Sequence, residues 1–531
     1  MPEGSFYVTT PIYYVNDEPH IGHAYTTVLA DVLSRFHRLM GDATFFLTGV
    51  DEHGQKVQNA ARARGVDPLT HCDEMAVRYK ALWKRLEIHN DDFIRTTEER
   101  HKKVVAWFIE RIRAAGDVYE DQYEGWYCEP DERFWTEKDL LPGNLCPLCN
   151  RPTQKLSEKN YFFRMSKYQD WLIEHIESHP DFILPETRRN EVLGFLRKPL
   201  GDLCISRPRS RLEWGIPLPF DPDYVTYVWL DALVNYVSAV EGRTRPDGSP
   251  WWPADLHLMG KDILTTHTVY WPTLLKSAGL PMPRQILAHG WWLVGETKMG
   301  KSLGNVVKPI DMAERHGHDA FRYFLMRDMV LGQDSSFSEE ALIHRINSDL
   351  ANDLGNALNR VERMVQNYFG GTMPGPAGSG AASPAGIAEP DSPEGRLGAI
   401  GEATASAVPG MIAELKLHAA IEETLQMVRA TNRYLEEKAP WKAVKTEGAE
   451  AIGPTLWTAA EALRLAATLL SPVMPAKCGE ALYRLGVLDD PGALVSTPLA
   501  SDRIAWGLLA PGVKIRPGAP LFPRIETESK P

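Results

Sequence analysis

The sequence predicts an α/β protein in which a parallel-sheet domain is split by an insertion and followed by an α-helical domain. Three observations predict it: a strand, loop, helix, strand order over residues 6–50, a change of texture between Tyr119 and Tyr224, and helical periodicity from Glu339 onward. A chain of 531 residues exceeds what one core usually supports, so three or more folding units are expected.

Phe6-Tyr7-Val8 is β-prone, Pro11, Asn16 and Pro19 mark a loop, and an apolar stripe through Val28, Val32, Leu33, Phe36 and Leu39 has helical spacing. Gly41 closes that helix. Thr44 to Val50 reads as a buried strand, completing a βαβ unit with its ligand chemistry at the carboxyl ends of the strands, where Asp51-Glu52-His53-Gly54 falls. The segment 119–224 is aromatic, Cys-bearing and Pro-rich and reads as an insertion into the first domain, 1–118. Alternation resumes at Val225 to Leu230 and Leu256 to Met259, which returns the chain to the first sheet over 225–338. Leu350, Leu354, Leu358 and Val361 then set the period of a helical domain over 339–531. Within it, Gly370 to Glu394 is rich in Gly, Pro, Ala and Ser and reads as a mobile loop.

The net charge of −12 excludes a surface coated in positive charge, so a nucleic-acid partner must be met by a local basic region. A basic leader with an apolar core is not seen at Met1 to Val8, and no run reaches the ~20 apolar residues of a membrane span, which predicts a cytoplasmic protein with no membrane partner. Six cysteines in so long a chain do not make a disulfide framework, and a cluster among them reads as metal or redox chemistry.

His20-Ile21-Gly22-His23 lies where the loop after the first strand enters the helix. A helix N-terminus carries partial positive charge, Gly22 lets a ligand approach the backbone, and imidazoles three apart can face one phosphate. The plain alternative is a helix start with a surface histidine. Lys298-Met299-Gly300-Lys301-Ser302 follows a strand-like Trp291 to Val294. Lysines in a Gly-containing loop suit a pyrophosphate whose charge grows as the α–β bond breaks. Alone, that run reads as a solvated face.

Together, in this order, the two motifs resemble the "HIGH" and "KMSKS" signatures of the class I aminoacyl-tRNA synthetases, with Gly300 where serine is usual. The resemblance implies a Rossmann-type catalytic domain using ATP with Mg2+, catalysis by His20, His23, Lys298 and Lys301, and nucleotide contacts from Gly22, Gly260 and Asp262. The inserted segment is shorter than the editing domains that isoleucine-, valine- and leucine-specific members carry. Tyr7 to Asp17, Phe45 to Gly54, Tyr227 to Tyr236 and Gly260 to Pro272 resemble the methionine-specific branch. By that resemblance Asp51 pairs with the substrate ammonium, and Ile12, Tyr14, Trp229, Ala232, Leu233, Tyr236, Ile263, His267 and Trp271 line the side-chain pocket. A thioether gains from aromatic edges and from a weak donor such as His267 or the Tyr14 hydroxyl.

Cys128-Glu129-Pro130-Asp131 and Cys146-Pro147-Leu148-Cys149 place four donors in two pairs suited to one tetrahedral Zn2+, with Asp131 where the family pattern has Cys or His. Three ordinary buried thiols are the alternative. Asn356 and Arg360 share a helix face and Trp441 follows Pro440 at another helix start. The resemblance makes these three the anticodon contacts for tRNA, initiator and elongator alike. Nothing after the helical domain corresponds to the family's dimerising oligonucleotide-fold domain, which predicts a monomer. Two other readings of the motifs are a small-molecule nucleotidyltransferase and a tRNA-binding paralogue without catalysis.

Overall fold

A computed structural model describes residues 4–129, 133–135, 137–147, 149–295, 297–298, 307–376, 389–497 and 499–526. Its centre is a six-stranded parallel sheet: β1 (Ser5–Tyr14), β2 (Ala43–Asp51), β3 (Asp92–Arg95), β4 (Ile183–Leu184), β5 (Leu256–Gly260) and β6 (Gln285–His289), in the order β3-β2-β1-β5-β6-β4. The order runs outward from β1 on one side and from β5 on the other. A crevice therefore opens at the carboxyl ends of β1 and β5, the switch point where doubly wound sheets bind ligands. β1 is longer than the sequence suggests and runs through Pro11, because its register with β2 shifts between Thr9 and Ile12. A proline is tolerated at such an irregularity, where no ladder bond is lost. Gly49 in β2 is obligatory, since a Cβ there would sit 2.2 Å from the Ile94 carbonyl oxygen.

Helix α1 (Ile21–Leu39) follows β1 and is buried on nearly every face from Ile21 to Phe36, since the sheet covers one side and the helix His318–Asp328 packs on another. Its polar residues need internal partners. Asp31, fully buried, accepts from Arg35 Nε at 2.8 Å and from Arg322 Nη2 at 2.7 Å. Arg322 lies on α3 (His318–Asp328; α2, Val228–Ser238, precedes it) and also donates to the Leu86, Pro472 and Val473 carbonyls.

The insertion builds an antiparallel sheet from Val118–Cys128, Arg133–Trp135, Gln154–Phe163 and Leu203–Cys204. Two readings of this region need correction. Ile183–Leu184 leaves the insertion and pairs with Ile286 and Leu287 as an edge strand of the central sheet. Val225 to Leu230 is not a strand of that sheet: Asp221–Thr226 pairs with Ser206–Pro208 and Pro217–Leu218, and α2 begins at Val228.

From Glu339 the chain is helical, with a wide-turn stretch at Ile346–Gly355 running into α4 (Asn356–Phe369). Leu350, Leu354, Leu358 and Val361 are buried as their spacing requires, each worth roughly 2 kcal/mol of transfer free energy. The segment read as a mobile loop is described at both ends only: Thr372 bridges to Lys514, Ser392 caps the helix Pro393–Ala413, and residues 377–388 lie outside the described residues.

Candidate active site

The His-x-Gly-His segment caps α1. His20 is the N-cap in extended conformation and its Nδ1 accepts from the Gly22 amide at 3.1 Å, while His23 Nδ1 accepts from the His20 amide at 3.1 Å. This is a capping box with imidazoles in place of hydroxyl and carboxylate. The rings stack at 3.8 Å. Because each ring accepts at Nδ1, each carries its proton on Nε2, leaving a donor on each ring beside the positive end of the helix. Burial, and next the His20 ring, hold His23 well below the usual imidazole pKa. Gly22 is required by space, as a Cβ would lie 2.9 Å from His20 Cε1.

The α1 N-terminus opens into a cavity of about 320 Å³ in the crevice. Its walls bring together Ile12, Tyr14, His20, Gly22, His23, Asp51, Trp229, Ala232, Leu233, Tyr236, Gly260, Asp262, Ile263 and His267, which sequence reasoning drew from five separate stretches. β1 carries the first two, β2 delivers Asp51 at its carboxyl end, α2 supplies Trp229 to Tyr236, and β5 ends at Gly260. Tyr14 meets Trp229 edge-on at 6.4 Å. Trp271 does not line the cavity. It is fully buried behind Tyr236, 6.1 Å from that ring, and its indole donates to His257 Nε2 at 3.4 Å.

Polar groups on the walls are fixed before any ligand arrives. His267 Nδ1 donates to the Ile263 carbonyl at 3.0 Å, so its Nε2 accepts from the Tyr236 hydroxyl at 2.7 Å. Burial lowers its pKa to about 4, outweighing the Ile263 carbonyl and Asp262. Both ring nitrogens of His267 are engaged, which leaves it no donor for a thioether and fixes the Tyr236 hydroxyl. Asp262 accepts from the Trp291 indole at 3.2 Å, and Lys261 lies 4.1 Å over that indole and 2.7 Å from Asp334. A Cβ on Gly260 would fall 2.6 Å from Asp262 Oδ1, so glycine keeps that carboxylate in place.

Sequence reasoning missed Thr26, His289, Gly290 and Trp291 as wall residues. Thr26 Oγ1 and His289 Nε2 are 2.7 Å apart, and His289 Nδ1 donates to Gly290. The available signal was position: His289 ends β6 beside β5, as Asp51 ends β2 beside β1. Lys298 pairs its backbone with Leu293, but its side chain and residues 299–306, Lys301 included, lie outside the described residues.

Two further groups lie away from the cavity. The Sγ atoms of Cys128, Cys146 and Cys149 all fall within 4.8 Å of one another, with Cys128 and Cys149 3.4 Å apart. Tetrahedral zinc with bonds of ~2.3 Å holds its sulfurs about 3.8 Å apart, so the donor set fits that ion. Asp131 lies outside the described residues. In the helical domain the Arg360 guanidinium stacks 4.7 Å over Trp441 and pairs with Glu436 at 2.8 Å, and Asn356 is exposed one turn away.

Comparison with known proteins covers the whole architecture. The family profile "tRNA synthetases class I (M)" matches residues 6–157 and 140–362, and "Anticodon binding domain of methionyl tRNA ligase" matches 389–530. Methionine–tRNA ligases are 43% identical in Thermotoga maritima, over 98% of this chain and 81% of theirs, and in Thermosynechococcus vestitus, over 98% and 97%. The structure of Mycobacterium tuberculosis methionyl-tRNA synthetase in complex with methionyl-adenylate superposes with a TM-score of 0.89 at 39% identity, covering 98% of this chain and all of the other.

Proposed function

The chain belongs to the class I methionyl-tRNA synthetases, and on that premise we propose how its residues divide the work of a methionine–tRNA ligase. The enzyme uses ATP to activate methionine as methionyl-adenylate and then charges tRNA. The observation that carries the assignment is the cavity that joins the imidazole-capped N-terminus of α1 to an aromatic slot with Asp51 on its wall. The family match sets aside the nucleotidyltransferase reading.

Asp51 receives the methionine ammonium, and the unbranched side chain enters between Ile12, Tyr14, Trp229, Ala232, Leu233, Tyr236, Ile263 and His267, with Trp271 holding that wall from behind. Asp262, oriented by Trp291, takes the ribose hydroxyls next to Gly260. The methionine carboxylate attacks the α-phosphate of ATP, supplied with Mg2+. Charge moves onto the departing pyrophosphate, where the Nε2 protons of His20 and His23, the Gly22 backbone and the ammonium groups of Lys298 and Lys301 meet it. No side chain acts as a nucleophile; positioning and fixed dipoles carry the step. A tRNA recognised through Asn356, Arg360 and Trp441 then presents its terminal adenosine, whose 2′-hydroxyl takes the acyl group. Stacking of an unpaired base on Trp441 is consistent with its partly exposed ring.

Zn2+ would be held by Cys128, Cys146 and Cys149 with Asp131 as fourth donor, and supplies a cross-link within the insertion. Among the described residues no helix is long and apolar enough to cross a membrane. We place the enzyme in the cytoplasm as a monomer acting on initiator and elongator methionine tRNAs. Charging of purified initiator and elongator transcripts with labelled methionine tests the assignment. Base-labile label on both transcripts is expected, and label on neither overturns it.

A further inference from the structure

Behind the cavity wall lies a buried carboxylate that the reaction does not use. Asp231 is on α2, two residues after Trp229 and one before Ala232, and is fully buried. Its Oδ2 is 2.7 Å from His53 Nδ1 and its Oδ1 is 2.7 Å from His101 Nε2. A carboxylate accepts only, so both imidazoles donate to it. Burial, which raises its pKa, is overcome by His53 and His101, and the carboxyl group is drawn down to about 2.

The two histidines reach different elements. His101 lies on the helix Glu99–Ala114 and continues to Ser238 at the end of α2, at 2.8 Å. His53 is two residues beyond Asp51. The residue between them, Glu52, is tied the other way, to Arg95 of β3 at 2.7 Å and to Thr97. The segment carrying Asp51 is therefore tied to β3 through Glu52 and to α2 through the contact from His53 to Asp231. That contact spans the two parts of the amino-acid site: the carboxylate for the ammonium on one side and the helix of Trp229, Ala232, Leu233 and Tyr236 on the other.

We infer that Asp231 is a positioning residue that fixes, through His53, the separation between Asp51 and the α2 wall, and thereby the length of side chain the cavity accepts. The inference rests on the methionine-site reading above. One methylene in an apolar pocket is worth about 10- to 200-fold in specificity, so a small drift of α2 relative to Asp51 registers as altered length discrimination.

The test is amino-acid-dependent pyrophosphate exchange by the full chain with methionine, the one-methylene-shorter S-methylcysteine and the one-methylene-longer ethionine. Asp231→Asn is expected to raise the methionine KM about ten-fold, change kcat less than about three-fold and leave the ATP KM unchanged. The preference for methionine over the two analogues should fall about ten-fold. His53→Gln should follow it. His101→Gln, which leaves the His53 bridge in place, should shift neither quantity by more than about two-fold. A uniform loss with all three amino acids, or a His101→Gln variant that copies the others, overturns the inference. Should Asp231→Asn fail to fold by circular dichroism, the His53 and His101 pair decides alone. Wild-type enzyme without methionine exchange overturns the underlying reading; wild-type exchange with unchanged discrimination in the variants overturns only the role of Asp231.

Discussion

Asp31 in α1 accepts a hydrogen bond from Arg322 in α3 at 2.7 Å, and neither side chain has any exposed surface. The pair joins the helix whose N-terminus opens into the cavity to the Pro472-Val473 turn of the helical domain. Truncating Asp31 leaves the buried guanidinium groups of Arg35 and Arg322 without their carboxylate, so Asp31→Ala is expected to cost about 3–5 kcal/mol in denaturant unfolding. Burial pushes the Asp31 pKa up, but Arg35 and Arg322 outweigh it and the net shift is downward. A depressed carboxyl pKa contributes stability above the unfolded pKa and loses it as pH falls through the folded one. Wild-type stability should therefore drop at acid pH more steeply than that of an Asp31→Asn variant.

His267 has the opposite chemistry and the same acid-side sign. Its pKa falls from 6.5 to about 4, so the unfolded chain binds the extra proton first and stability is lost as pH drops from about 6.5 toward 4. Tyr236→Phe removes the hydroxyl that His267 Nε2 accepts from, which is expected to cost about 1 kcal/mol, raise the methionine KM and move the His267 titration. NMR titration of the ring with kinetics on the same variant checks both.

Lys301→Ala should reduce the rate of adenylate formation by about 10²–10³-fold with little change in methionine affinity, since its charge acts where pyrophosphate develops. Stopped-flow activation kinetics separate the two quantities. An unchanged rate removes Lys301 from the chemistry.

Trp441→Ala should impair tRNA charging at least about ten-fold while sparing pyrophosphate exchange, because the indole and its Arg360 partner lie in the helical domain, away from the cavity. Equal losses in both assays mean a damaged fold and no specific RNA role.

Metal analysis of the purified protein is expected to give about one zinc per chain, and Cys146→Ser should abolish it while lowering thermal stability.

Sequence made the site legible where its residues cluster in short motifs at the ends of strands. The histidine pair announces itself because a helix start with Gly22 between two imidazoles has a physical use, and Asp51 because it ends a buried strand. Thr26 and His289 escaped because they are 263 residues apart and neither belongs to a periodic pattern; only the placement of β6 beside β5 joins them. Ile183–Leu184 is too short to show alternation, so its return to the central sheet is decided by tertiary pairing. Trp271, expected to line the side-chain pocket, packs behind Tyr236 instead, since sequence does not distinguish a wall from the layer behind it.

In the proposed mechanism one cavity joins methionine to ATP on the imidazole-capped helix. Exchange of labelled pyrophosphate into ATP, run with each of the twenty amino acids and no tRNA, tests it most directly. Exchange with methionine alone is the expected result. Exchange driven by a different amino acid, or none with any, contradicts it.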